Sequence, residues 1–121
     1  PGSHATTFGG HPAMCAGALA TLEELTKEET ETHSREMGRY MLLKLTGMKN
    51  NLASIKEVRG MGLMVGVELA YPCAQIVDKC AEMGLLVNCV ADRTLRLLPP
   101  LTVTKQEIDK ALNILNKALK I

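Results

Sequence analysis

Tryptophan is absent, and the only aromatic side chains are Phe8, Tyr40 and Tyr71. With so few rings there is no platform on which single-stranded bases could stack. The core must be aliphatic, with seven methionines as adaptable filler. Charge of one sign is not in excess either: 14 basic residues face 13 acidic ones, for a net charge of +1. Nucleic acid and anionic membrane are therefore poor partners, because each calls for a clustered basic surplus. No apolar run approaches the roughly 20 residues of a membrane span, and the opening Pro1-Gly2-Ser3-His4 has neither the basic lead nor the apolar stretch of a signal peptide. There is no initiator Met, and the chain reads as one that begins inside a larger protein.

Cys15, Cys73, Cys80 and Cys89 form no CxxC pair, and no histidine stands at ligand spacing beside them. That excludes a recognisable zinc site. The four thiols read as small buried hydrophobes in a reducing compartment. No Ser/His/Asp triad, carboxylate pair or P-loop can be assembled. His33 stands in a polar stretch that predicts exposure, and His11 reads as a helix-entry residue.

What the sequence does contain is one domain's worth of core. Its 121 residues are 46% hydrophobic and 22% charged, enough apolar surface to offset chain entropy. Residues 1–11 are small and glycine-rich, a loop. Pro12 then suits a first helical turn, followed by Cys15, Ala18, Leu19, Leu22 and Leu25 at helical spacing. Thr26-Lys27-Glu28-Glu29 has the form of a capping box that restarts a helix. That second helix carries Met37, Met41, Leu45 and Met48 on one stripe and Glu31, Arg35, Glu36 and Arg39 on a solvated face. From Ser54 the period changes. Ile55–Arg59 and Leu63–Leu69 read as strands joined around Gly60-Met61-Gly62. A short helix over residues 73–83 stops at Gly84. Leu85–Val90 and Thr94–Leu98 read as strands, Pro99-Pro100 ends the sheet, and Thr104-Lys105-Gln106-Glu107 opens a last helix. The expected fold class is α+β: a small, mainly antiparallel sheet of about four strands with helices packed on one side.

Three segments could carry chemistry. In His4-Ala5-Thr6-Thr7-Phe8-Gly9-Gly10-His11-Pro12, two hydroxyls precede a Gly-Gly turn at a helix N-terminus. The segment is either a plain helix cap or a phosphate cradle, since glycines let N–H groups approach an anion and the helix end favours negative charge. In Thr94-Leu95-Arg96-Leu97-Leu98-Pro99-Pro100-Leu101, alternation turns Arg96 away from Leu95 and Leu97. Its guanidinium needs an anion, either in a structural salt bridge or as a fork for a substrate carboxylate. The stretch Val58 to Glu68 reads as a structural hairpin, with Arg59 and Glu68 as an ion pair.

Taken together and in this order, these segments resemble the C-terminal part of class III aminotransferases, pyridoxal-phosphate enzymes of fold type I. The family's loop G-S-H-G-[ST]-T-[FY]-G-G-N-P stands here as Gly2 to Pro12, with Ala5 in place of Gly and His11 in place of Asn. Its R-G-x-G-L hairpin stands as Arg59 to Leu63, and its R-x-x-P-P-L as Arg96 to Leu101. The resemblance implies that residues 1–25 are a cofactor loop and linker helix, and residues 26–121 a C-terminal small domain. It also implies roles. Thr7 would reach the pyridoxal phosphate of the other subunit of a homodimer, Thr6 would lie near the substrate, and Arg96 would bind its carboxylate. The Schiff-base lysine would lie outside this chain, leaving these residues inactive alone. The branch most resembled moves the amino group of N-acetylornithine to 2-oxoglutarate, in the cytoplasm. Ornithine, 4-aminobutyrate and succinyldiaminopimelate aminotransferases are alternatives within the class, and a free-standing α+β ligand-binding module is one outside it.

Overall fold

Val65, Val67 and Leu69 alternate with outward neighbours in the manner of a strand buried on one face, and that face organises most of the chain. The computed structural model describes residue 2 and residues 4–120. Ser3 of the loop motif, with Pro1 and Ile121, lies outside the described residues. The chain divides into two compact units, Pro1–Thr32 and His33–Ile121.

The first unit holds the N-terminal loop, helix α1 (Pro12–Leu25) and the start of helix α2 (Glu28–Asn51). Pro12 stands in the first turn of α1, where its missing N–H costs nothing. None of the α1 residues is buried. The expected capping box at Thr26 does not form. The Thr26 hydroxyl instead donates back to the carbonyls of Leu22 (2.9 Å) and Glu23 (3.3 Å), so it closes α1 rather than opening α2. Both helix ends offered it unsatisfied backbone groups, and the carbonyls a turn behind were in reach. Glu28, Glu29 and Glu31 still place negative charge at the start of α2, where the helix dipole favours it.

In the second unit, α2 lays Met37, Met41 and Leu45 into the core, as their spacing predicts. Four strands follow: β1 (Ile55–Met61), β2 (Met64–Leu69), β3 (Asn88–Val90) and β4 (Thr94–Leu97). Helix α3 (Ala74–Glu82) separates the two strand pairs, and helix α4 (Lys105–Leu119) ends the chain's regular structure. The sheet is antiparallel throughout, in the order β1-β2-β4-β3. Ile76 and Cys80 of α3 and Ile108, Leu112, Leu115 and Leu119 of α4 complete the core with Leu95 of β4. This is the α+β arrangement expected. Each buried aliphatic side chain contributes about 1.5–3 kcal/mol.

Four strand boundaries differ from expectation: β1 runs on to Met61 rather than ending at Arg59, β2 begins at Met64 rather than Leu63, β3 begins at Asn88 rather than Leu85, and β4 ends at Leu97 rather than Leu98. Strand β1 runs through Gly60 to Met61, which pairs with Met64, so the turn consists of Gly62 and Leu63. Gly62 has φ +52 there, the left-handed conformation that a two-residue hairpin demands. Strand β3 begins at Asn88 rather than Leu85, because the Leu85 N–H is drawn back to the Cys80 carbonyl (2.8 Å). Gly84, with φ +82, makes the α3 stop that the sequence predicts.

Helix and hairpin approach closely at one point. Gly38 of α2 lies against the Gly62 turn, and a Cβ at position 38 would collide with the Gly62 carbonyl. Polar ties join α2 to the α4 region. The Tyr40 hydroxyl donates to the Asp109 carboxylate (2.8 and 2.9 Å), and Lys44 Nζ lies 3.2 Å from the same group. The Tyr40 hydrogen bond is the main reason that the Asp109 carboxyl titrates below its usual range. His33, expected in solvent, is half-buried, with Nε2 2.9 Å from the Val103 carbonyl. The polar residues around it in sequence mask a tertiary partner 70 positions away.

The cysteines also need correction. Cys80 is buried, as expected, and burial raises its thiol pKa. Cys15 is exposed, and Cys73 and Cys89 are joined in a disulfide with Cα atoms 5.8 Å apart. Their separation of 16 residues carries no pairing signal, and only the folding of β3 beside the start of α3 brings them together.

The Thr104–Glu107 box forms as predicted. The Glu107 carboxylate accepts from the Thr104 N–H and hydroxyl (2.8 Å each), and the Glu107 N–H donates to the Thr104 hydroxyl (3.3 Å). The Thr104 backbone N–H, then its hydroxyl, hold the Glu107 carboxyl below its usual pKa. A depressed folded-state pKa gives stability that is present above the unfolded value and lost as pH falls through the folded one. Thr104→Ala should therefore lower Tm at neutral pH, and the gap from wild type should narrow as the solution is acidified through the Glu107 titration. Thermal melts at stepped pH values check this.

Candidate functional site

The loop of the first unit is shaped by a tight turn. The His11 N–H donates to the Phe8 carbonyl (3.1 Å), and Gly10 has φ +79, the value needed at the third position of a type II turn. His11 then caps α1, its Nδ1 accepting from the Ala13 N–H (3.3 Å), so its expected role as helix-entry residue is met. Thr6 and Thr7 precede the turn and are exposed. Among the described residues neither hydroxyl has a hydrogen-bond partner. Two unengaged donors thus stand on the loop that leads into α1, separated from Pro12 by Phe8 to His11, and can donate to an anion's oxygens.

The second unit presents a row of four positions across the sheet. Arg59 of β1 pairs with Gly66 of β2, Gly66 with Arg96 of β4, and Arg96 with Asn88 of β3. Val65, Val67 and Leu95 point to the helices, so the row lies on the opposite, open face. Arg59 is already engaged: its Nη1 lies 2.8 Å from Glu68 and 3.3 Å from Glu57. The Glu68 hydrogen bond is the chief cause of its raised pKa. The Arg59–Glu68 pair is as expected.

Arg96 differs. It is exposed, and among the described residues it has no ion pair or hydrogen bond, so the structural salt bridge that its sequence context allowed does not form. Gly66 beside it has no side chain, and the space above that position is flanked by Thr94 Cγ2 and Arg59 Cγ. Asn88, on its other flank, adds an amide that can donate and accept. The sequence reading missed Gly66 and Asn88. Their signal was the strand register, which required the hairpin turn to be placed at Gly62–Leu63.

Thr6 and Thr7 belong to the first unit and Arg96 to the second, and each stands in its own local setting. A separate apolar groove of about 280 Å³ runs between the end of β4 and α4, lined by Leu97, Leu98, Pro99, Pro100 and Val103 among others. Its one charged lining residue, Glu107, is committed to the helix cap. The groove therefore has no free polar group for chemistry, and Arg96 does not line it. Among the described residues no cluster of three or more His, Cys, Asp or Glu could hold a metal, and no helix is long and apolar enough to cross a membrane.

An unpaired guanidinium on an open sheet face and unpaired threonines ahead of a helix both call for anionic ligands. They fall where the loop and R-x-x-P-P-L motifs of one enzyme class fall, and the family model for class-III aminotransferases matches residues 1–119: the chain belongs to that family. More particularly, it is 50% identical over 117 residues to the acetylornithine aminotransferase of Methanosarcina mazei, covering 97% of this chain and 29% of that protein. Among solved structures, the acetylornithine aminotransferase of Elizabethkingia anophelis superposes with TM-score 0.86 at 27% identity, over 98% of this chain and 32% of that one. The ornithine aminotransferase of Toxoplasma gondii, whose active site was found partly occupied by pyridoxal phosphate, gives TM-score 0.85 at 32% identity, over 98% and 29%. The chain thus spans just under a third of the curated relatives that it matches.

The residues present fit one end of that cofactor. An exposed Thr7 hydroxyl with no hydrogen-bond partner among the described residues can donate to a phosphate oxygen.

Proposed function

We propose that this chain serves in a pyridoxal-phosphate-dependent transaminase that moves the amino group of N-acetylornithine to 2-oxoglutarate, a step of arginine biosynthesis. The observation that carries the reading is the unpaired Arg96 guanidinium, joined to the 50% identity with an acetylornithine aminotransferase. Pyridoxal phosphate, when bound, supplies the carbonyl that takes up the amino group and the ring that withdraws electrons from it. Within this chain, residues 1–25 furnish the cofactor loop and linker helix, and residues 26–121 the small domain that carries Arg96. Thr7 donates its hydroxyl to the cofactor phosphate. In this reading that phosphate belongs to the second protomer of a cytoplasmic homodimer, as the likeness of the Gly2 to Pro12 loop to the family's motif implies. Thr6, one residue earlier, lies near the substrate.

Arg96 takes the substrate carboxylate in fork geometry. Both substrates carry a carboxylate, adjacent to the reacting carbon in 2-oxoglutarate and remote from it in N-acetylornithine, whose free amine is on its terminal carbon, so one guanidinium binds a carboxylate in each half of the exchange. Glu57 and Glu68 are held by Arg59, so neither competes for that guanidinium. The lysine that binds the cofactor covalently is supplied by sequence outside these 121 residues. Ornithine is the second amino donor to weigh, since an ornithine aminotransferase is also a close structural neighbour.

A coupled assay on the protein carrying this chain tests the reading. With 2-oxoglutarate as acceptor, kcat/KM should be highest for N-acetylornithine among N-acetylornithine, ornithine, 4-aminobutyrate and succinyldiaminopimelate. Preference for ornithine would move the assignment to the second donor, and no transamination with any of them would end it. Thr7→Ala should weaken cofactor retention by about 1–3 kcal/mol, the worth of one hydrogen bond to a charged group, read from pyridoxal-phosphate titration of the apoenzyme. Arg96→Lys should lower turnover with an unchanged Tm, because an ammonium cannot reproduce a two-pronged contact. Wild-type kinetics in that variant would remove Arg96 from the site.

A further inference from the structure

Strand β3 is the least supported element of the sheet. It has three residues, lies at the edge, and pairs with β4 alone. The turn that joins it to β4 contains Ala91 and Asp92, both with positive φ (49° and 65°), a backbone state that side-chain-bearing residues adopt at a cost. Yet β3 supplies Asn88, the flank of Arg96, and Cys89, the neighbour of Leu95. Two ties reach this corner from the start of α3. The Cys73 N–H donates to the Asp92 carbonyl (2.8 Å), and the Cys73 side chain is bonded to Cys89.

We propose that the Cys73–Cys89 disulfide is a reversible redox latch, which ties edge strand β3 to the start of α3 and thereby sets the flank of Arg96. The second clause rests on the carboxylate-binding role proposed for Arg96. The first does not.

The two sulfurs are not equivalent. Cys73 is fully buried at the start of α3, whereas Cys89 is half-buried on the edge strand. A thiolate from outside therefore attacks the Cys89 sulfur. The S–S bond breaks, its electron pair passes to Cys73, and that thiolate takes a proton. The second thiol of a dithiol reductant then attacks the mixed disulfide. It releases Cys89 as a thiol and leaves the reductant as its own disulfide, a two-electron exchange overall. The reduced state is also provided for. Cys89 Sγ lies 3.4 Å from the Asp92 carbonyl, the acceptor that its S–H would find. Cys80 does not compete in the exchange. It is buried with a raised pKa, and burial of this kind makes a thiol unreactive.

The experiment compares the intact protein before and after treatment with dithiothreitol, then after reoxidation. Alkylation and mass mapping should show Cys73 and Cys89 blocked at first, both labelled after reduction, and both blocked again on reoxidation. Amide hydrogen exchange over residues 85–92 should speed at least tenfold on reduction, with α4 unchanged. Cys73→Ala under oxidising conditions should exchange like the reduced protein. Free Cys73 and Cys89 in unreduced protein, or β3 exchange indifferent to reduction, would overturn the latch. For the link to Arg96, KM for the amino donor should rise several-fold on reduction while kcat changes less. An unchanged KM alongside faster β3 exchange would overturn that clause alone. A protein without transaminase activity would still give the labelling and exchange readouts, so failure of the functional reading is distinguishable from failure of the latch.

Discussion

Everything in the second unit depends on one face of one sheet being kept from water. Val65, Val67 and Leu69 of β2, with Leu95 of β4, present that face, and each is essentially inaccessible. Leu45 of α2, Ile76 of α3 and Leu115 of α4 reach it from three separate helices and are equally buried. The two inner strands carry the greatest apolar load, and the edge strands are comparatively lightly built. Because apolar burial is concentrated on that side, the other side can carry groups that a packed interface would neutralise. An unpaired guanidinium at Arg96 is tolerable only there.

The open face is selective about which of its cations is available. Arg59 and Arg96 stand two strands apart in one row, yet Glu57 and Glu68 both serve Arg59. This division leaves a single arginine of that row in search of an anion. A ligand carboxylate meets no acidic competitor held in place beside it. Membership of the class-III aminotransferase family gives that vacancy its chemical context, and the residues supply the physical reason.

Most of the architecture was legible because it is written in local periodicity. The methionine and leucine stripe of α2, the alternation through Val65 to Leu69 and the Thr104–Glu107 cap all act within a few residues of themselves. The misreadings share an opposite character. Thr26 had two helix ends within reach, and sequence cannot rank them. His33 finds its carbonyl across 70 residues, and Cys73 finds Cys89 only once β3 has folded beside α3. The candidate residues themselves were visible as motifs. The freedom of Arg96 was not, because it depends on which arginine the two glutamates choose. Gly66 and Asn88 became meaningful only through a register that a one-residue slip of the hairpin turn would have changed.

Strand β1, at the far edge from the disulfide, has a consequence for the molecule in a crowded solution. Its register is broken between Ile55 and Glu57, and Lys56, Glu57 and Arg59 line its exposed length. An irregular, charge-studded border is a poor template for the backbone of a neighbouring copy. At the opposite border, three residues offer too few free amides for a second chain to zip onto. The sheet's margins thus discourage fibrillar self-addition while its broad surface stays open to small molecules.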